Sequence, residues 1–492
     1  MRLTPPPGPG LDPDSAWYLG AAQSLMHGSG YRVPIAQWRA ADSLSTLSHF
    51  PPGYPTAIAV PMLFGARAVQ AARLVNAAAT FVEVALAVLL VALSAGDITG
   101  LALAAALVVM SGLVEVHLTV LSEPLYLACS LSALTAMTIA ADRAEETSRQ
   151  RWMWAGGFAA AAAALVRYAG LSVVGGVVIW ALALPGTRAM RLRRGVSALV
   201  PALVLLGGWT TYVHLTSGVR AIRALGTYPG LRETLGMGVS TIVGWLVPLE
   251  SDDVLPGRFW IALAVLAAII WIVRRGVRAA RQRSRTGPFS HSPELTVVTA
   301  AAVLGVSYVL LLIASRLLAD PAIPFDERLL SPVFVLAAII IAIAARAAWR
   351  DSGNAVRVFG AVVFVSWWIA SYRATNDDVE YTLENGYDLA QTQWRASPLL
   401  AWAHDRASSR PLYSNWPSAV VLHLGRASRE VPREDDMATL AQFADTLRVR
   451  NGIVLAFDWP SPDLIGVASL QKSARLHVIA RLADGSVFAA AP

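Results

Sequence analysis

The 492-residue chain has a single cysteine, Cys129, placed inside an apolar run. No intrachain disulfide is open to it, and cysteine usage leaves the redox compartment undetermined. Charge is nearly as scarce: 15% of residues are Asp, Glu, Lys or Arg, against roughly 25% in an ordinary soluble domain. That shortfall excludes a typical soluble enzyme. Lysine is almost missing, Lys472 standing alone among 40 basic residues, which reads as a coding bias toward Arg more than a physical device. Internal repeats are absent, as is low complexity beyond Ala-rich runs. Met1 to Gly10 is rich in Pro and Gly and resembles neither a signal peptide nor an anchor.

What the chain does have is apolar surface. Hydrophobic residues make up 55% of it and the mean hydropathy is +0.51, so most of that surface must face lipid. An isoelectric point near 9.8 would raise the question of nucleic acid. The arginines, however, fall in short loops between apolar runs, where topological sorting accounts for them and no nucleic-acid partner is expected.

Runs bounded by charge predict a polytopic helical membrane protein with about ten spans: 69–94, 98–115, 121–141, 152–166, 169–184, 196–215, 258–273, 295–318, 329–348 and 356–371. The pair 152–166 and 169–184 is split at Arg167 and Tyr168, because together they exceed one bilayer crossing. Four arginine clusters, at 143–151, 188–194, 274–285 and 346–357, all fall on one side of this drawing. The positive-inside rule makes that side cytoplasmic. Residues 1–65, 216–257, 319–328 and everything after 372 are then extracytoplasmic. An outward first segment with no span before it is read as a mis-assigned start codon. Three domains are expected: 1–65, an outer loop with a membrane-surface helix; 66–372, the transmembrane domain; and 373–492, a small extracytoplasmic α/β domain with β-like runs at Ala419–Leu424, Ile453–Phe457 and Leu476–Ala480 and a hairpin turn at Asp484-Gly485.

Carboxylates are costly near a bilayer, so those that the topology leaves at the outer ends attract a functional reading. Asp12-Pro13-Asp14 opens a predicted helix that carries Tyr18. Asp14 or Ser15 would cap it; alternatively, partial desolvation suits Asp14 to act as a general base. His49 enters a proline-rich turn, Pro51-Pro52-Gly53-Tyr54-Pro55, which could fix it at a cavity mouth. Glu115 lies near the next outer turn, and Glu123 precedes Pro124 at a helix start. Arg167 and Arg328 stand at outer helix ends, against the positive-inside bias, and each could bind a phosphate or neutralise a carboxylate such as Asp326.

In order along the chain, Asp14 with Tyr18, His49 to Pro55, Ala71-Ala72-Arg73-Leu74-Val75-Asn76, Leu121-Ser122-Glu123-Pro124-Leu125, Leu165-Val166-Arg167-Tyr168, Asp326-Glu327-Arg328-Leu329-Leu330-Ser331-Pro332 and Leu412-Tyr413-Ser414-Asn415-Trp416-Pro417 resemble the GT-C integral-membrane glycosyltransferases. The similarity is to the branch that uses dolichyl- or polyprenyl-phosphate sugars, protein mannosyltransferase-like and aminoarabinose transferase-like. It implies inverting transfer of a sugar from a polyprenyl-phosphate donor to a glycan, lipid or protein acceptor at the outer face of a bacterial membrane. Asp14 would be the base, with Asp12 a substitute, and Glu123 a second carboxylate that orients the acceptor or holds a divalent metal ion where one is used. Arg328 would bind the lipid phosphate, with Arg167, His49, Tyr18, Asp326 and Glu327 lining the site. Members carry a helix before the first outer loop that has no counterpart here, and the Trp-Trp-Asp signature of oligosaccharyltransferases is absent. The rival expectations are a non-enzymatic transporter or flippase of lipid-linked glycans and a polymerase-like protein that joins glycans.

Overall fold

A computed structural model describes residues 8–217, 226–248, 256–286, 292–319, 323–407, 409–461 and 463–491. Parts of the expected outer segments, 1–7, 218–225, 249–255 and 320–322, lie outside the described residues, as do the side chains of Arg283 and Arg285.

The apolar runs form helices because backbone polar groups in lipid must be satisfied within the segment itself. In chain order these are α1 (Pro13–Met26), α2 (Gly53–Met62), α3 (Ala68–Ala95), α4 (Asp97–Leu107), α5 (Ser111–Leu118), α6 (Glu123–Asp142), α7 (Glu146–Val166), α8 (Leu171–Ala183), α9 (Arg188–Ser217), α10 (Leu231–Leu246), α11 (Pro256–Thr286), α12 (Pro293–Leu318), α13 (Glu327–Arg350) and α14 (Asn354–Asn385). Among the described residues seven are long and apolar enough to cross a membrane, namely α3, α6, α9, α11, α12, α13 and α14, or eight with α4 and α5 taken together. This is fewer than ten, for two reasons. The expected span 98–115 is broken at Val108–Met110, where α4 and α5 meet at 72°. The expected spans 152–166 and 169–184 exist as α7 and α8 but do not qualify by length and apolarity. α7 sits between α6 and α9, with Gly157 so near the Ala198 carbonyl of α9 that a Cβ there would lie 2.7 Å from it. A helix packed through small residues against its neighbours has less need of a lipid-facing apolar surface.

The basic clusters gather at one end of the bundle. Arg194 forks onto Glu146 at 2.7 and 2.6 Å, Arg350 reaches Glu294 at 3.0 Å, and Arg275 donates to the Asp351 carbonyl at 3.1 Å. The opposite ends of α6, α7 and α13 carry Glu123, Arg167 and Arg328.

After α14, which runs past residue 372, come α15 (Thr392–Arg395), α16 (Pro398–Arg406), α17 (Pro417–Leu424), α18 (Met437–Arg450) and α19 (Val467–Gln471). The strands are β1 (Arg32–Val33), β2 (Ile35–Ala36), β3 (Ser45–Thr46), β4 (Leu412–Ser414), β5 (Ser428–Glu430), β6 (Ile453–Phe457), β7 (Leu476–Leu482) and β8 (Gly485–Ala490). β1 and β3 pair by themselves, while the others form one sheet in the order β2-β5-β4-β6-β8-β7, parallel from β2 to β6 and antiparallel through the β7–β8 hairpin. β2 is thus contributed to the C-terminal sheet by the first outer loop. The β-like run Ala419–Leu424 is helical instead. Pro417 suits its first turn and Gly425, at φ 63°, ends it, and Ala419 and Val420 are buried.

Candidate functional site

α1 is positioned by its own N-terminus. Asp12, not Asp14 or Ser15, is the cap: it accepts from the Asp14 amide at 2.8 Å, while Ser15 Oγ accepts from the Asp12 amide at 3.0 Å. Ser15 also donates to the Val120 carbonyl at 2.8 Å. Gly10 and Val120 pair by backbone at 2.9 Å, the Leu389 amide donates to Leu11 O at 2.7 Å, and Ser418 donates to Pro13 O at 3.1 Å. The helix is therefore fastened to the α5–α6 turn on one side and to the C-terminal region on the other. It is buried along Ser15, Ala16 and Tyr18 to Ala22.

On this frame Asp12, Asp14, Glu123, Arg167 and Arg328 converge, although they come from α1 and the ends of α6, α7 and α13. Arg328 donates Nε–H to Glu123, Nη2–H to Asp14, and Nη1–H to Asp12 at 3.4 Å. Arg167 pairs with the same Glu123 oxygen and donates to Ser122 Oγ at 3.2 Å. Tyr18 joins Ser122 Oγ at 3.1 Å. Burial, with Asp14 nearby, holds the Tyr18 hydroxyl well above its usual range, so it stays protonated. Depth separates the carboxylates. The Glu123 side chain is 2% exposed, against 25% for Asp14 and 22% for Asp12. Glu123 is sealed between two guanidiniums, so only Asp12 and Asp14 can meet an incoming molecule.

The remaining predicted residues are placed apart from this cluster. His49 is exposed and packs on Trp17 at 6.0 Å and Phe50 at 4.7 Å between ring centres. Phe50 and Tyr54 in turn flank Tyr18, each at 4.9 Å. Asp326 caps α13, accepting from the Leu329 amide at 2.8 Å, so the carboxylates that Arg328 neutralises are Asp12, Asp14 and Glu123 rather than Asp326. Glu327 turns away toward α5, because successive helical residues point about 100° apart. Among the described residues no group of three or more His, Cys, Asp or Glu could hold a metal ion.

Asp388 has no counterpart in the sequence reading. It sits just after α14 at φ 48°, a left-handed conformation that Asp tolerates better than most residues, and it lies within electrostatic reach of Asp12, Asp14 and Arg328. Only its parallel bridge with Leu11 brings it there. Burial, then the charge of Asp14, raises Asp12 to about 7, and the same two causes raise Asp388 to about 6. A carboxyl raised in the folded state stabilises the fold fully below its unfolded pKa, near 4, and that contribution is lost as pH climbs through the folded value. The melting temperature in detergent should therefore fall between pH 5 and 8, and Asp388→Asn should flatten the fall. A scanning-fluorimetry series across that range checks this.

No family model and no curated protein matches the chain. Several solved structures resemble it. ArnT from Cupriavidus metallidurans bound to undecaprenyl phosphate superposes with a TM-score of 0.59 at 14% identity, over 98% of this chain and 96% of that one. The archaeal oligosaccharyltransferase AglB from Archaeoglobus fulgidus, in complex with an inhibitory peptide and a dolichol-phosphate, gives 0.53 at 12% identity over 91% and 65%. An Archaeoglobus fulgidus oligosaccharyltransferase in complex with zinc and sulfate gives 0.52 at 11%, over 91% and 64%.

Proposed function

Taking as premise that the chain has the GT-C fold, we propose that it is a membrane glycosyltransferase that moves a sugar from a polyprenyl-phosphate donor to an acceptor hydroxyl. The observation that carries this reading is the Arg328 fork, which faces the partly exposed carboxylates of Asp14 and Asp12. Arg328 exchanges part of its carboxylate contact for the lipid phosphate and stabilises charge on the departing phosphate oxygen. Arg167 keeps Glu123 ionised in place, and Glu123 holds the Arg328 fork aimed at the phosphate.

The acceptor hydroxyl meets Asp14, which takes its proton as the oxygen attacks the anomeric carbon. The carbon–oxygen bond to phosphate breaks with its electron pair on the phosphate. Polyprenyl phosphate leaves without protonation, since phosphate is already a good leaving group, and a single displacement inverts the anomeric centre. Asp12 fixes the first turn of α1 and is the substitute base. The basic ends opposite the site face the cytoplasm by the positive-inside rule, which sets the site and the C-terminal sheet outside a bacterial cell membrane.

The rival reading, a flippase of lipid-linked glycans, would move its lipid between leaflets with the sugar–phosphate bond intact. Proteoliposomes loaded with a panel of polyprenyl-phosphate sugars test the proposal by mass spectrometry. Free polyprenyl phosphate accumulating with time supports transfer, and intact donor throughout the panel overturns it.

A further inference from the structure

On the other flank of the first turn of α13 lies a cavity of about 170 Å³. The break between α4 and α5 contributes Val109, Met110 and Ser111, α10 contributes Trp245, and Arg258, Glu327, Ser371, Ala374 and Asp378 complete the polar and apolar wall. Arg258 donates to the Val247 carbonyl at 3.2 Å and Asp378 hydrogen-bonds Ser111, but two of its polar groups have no partner. Among the described residues Glu327 makes no hydrogen bond or ion pair. Ser371, 2% exposed, has no partner for its hydroxyl. Helical serines in this chain ordinarily return that hydroxyl to the carbonyl four residues back, as Ser94, Ser130 and Ser132 do at 2.6 to 2.8 Å. An unmade bond of this kind costs about 1–3 kcal/mol when buried, so Ser371 is a group kept for something that enters. Gly112 has the same implication. A Cβ there would collide with the Glu327 carboxyl, so the absence of one lets Glu327 lie across α5 and reach the cavity.

The lining selects a class of ligand. Glu327 and Asp378 accept hydrogen bonds, Arg258 donates, and Ser371 and Ser111 do both, beside an apolar wall of Trp245 and Ala374. An ammonium would use the acceptors and leave the donors idle. A sugar ring presents hydroxyls that donate and accept, together with an apolar face, and so uses the whole set. The cavity is also linked to the reacting carboxylates: Glu115, one turn along α5 from Ser111, lies within electrostatic reach of Glu327 and hydrogen-bonds Tyr387, the neighbour of Asp388. A donor sugar must sit within bonding distance of the phosphate at Arg328. Glu327 faces the other side of that turn, which places its cavity beyond the donor.

We propose that this cavity is a carbohydrate subsite that takes one neutral sugar residue of the acceptor. The inference rests on the glycosyltransferase reading for the word acceptor, but its test does not require turnover. Full-length protein in nanodiscs is titrated with methyl α- and β-glucosides, galactosides and mannosides, and with the methyl glycosides of the corresponding 2-amino sugars, and followed by saturation-transfer NMR. At least one glycoside should bind, and Glu327→Gln and Ser371→Ala should each weaken it about tenfold while leaving undecaprenyl phosphate binding unchanged. Gly112→Ala, which displaces Glu327 without removing it, should weaken it too. If no glycoside binds the wild type, or if Glu327→Gln and Ser371→Ala bind as the wild type does, the subsite is overturned. Selective binding of methyl glycosides of amino sugars alone would overturn the neutral-sugar assignment. Failure of the glycosyltransferase reading would show separately, as glycoside binding in a protein that consumes no donor.

Discussion

Asp14→Asn is expected to slow sugar transfer by about 10²–10⁴-fold, the usual contribution of a positioned general base, with little change in stability. The substitution keeps the shape of the first turn of α1, whose cap is Asp12, and leaves Arg328 with Glu123 and Asp12 as partners. An amide cannot take the acceptor's proton, so kcat falls while donor binding persists. Asp12→Asn is the control, because Asn caps a helix about as well as Asp. Initial rates of polyprenyl phosphate release, with melting curves for each variant, separate the two positions. A larger loss in Asp12→Asn than in Asp14→Asn would transfer the role of base to Asp12.

Arg328→Gln should be damaging in a different way. Arg328 pairs with three carboxylates there, of which Glu123 alone has a second cation, Arg167, and removing one partner of a buried ion pair costs about 3–5 kcal/mol, because the remaining charge is left uncompensated. We expect a lower melting temperature and at least a tenfold loss of polyprenyl phosphate binding, measured by native mass spectrometry. Two further variants separate fold from function. Arg328→Lys keeps the charge and loses the fork, so it should recover stability more than binding. Arg328→Gln combined with Asp14→Asn removes one of the uncompensated charges and should regain part of the melting temperature without regaining transfer.

These residues could be found in the sequence because they break a rule that holds around them. Asp14, Glu123, Arg167 and Arg328 are charges at helix ends on the side away from the arginine clusters, where a charge is costly and so stands out, and an apolar run bounded by charge fixes where such an end lies. The run could not report a bend: Val108 to Met110 are as apolar as the helices on either side, so the break between α4 and α5 leaves no mark in hydropathy. Asp388 was hidden for another reason. It reaches the site by a backbone bridge between Leu11 and the segment after α14, and no periodicity connects residues so far apart in the chain. Glu327 was grouped with Arg328 by adjacency, yet helical geometry sends neighbouring side chains to different faces and so to different cavities. Ala419 to Leu424 reads equally as strand or helix by apolarity, and the Pro417 and Gly425 that flank it decide for helix.

On the proposed function, the Arg328 cluster breaks a sugar–phosphate bond. The most direct measurement follows one radiolabelled polyprenyl-phosphate sugar in proteoliposomes, with the fate of the label and the leaflet of the intact lipid recorded together for wild type and Asp14→Asn. We predict that wild type moves label from lipid to acceptor and releases polyprenyl phosphate, and that Asp14→Asn leaves the label on the lipid. Intact labelled lipid crossing the bilayer at the same rate in both proteins, with no bond broken in either, would contradict it.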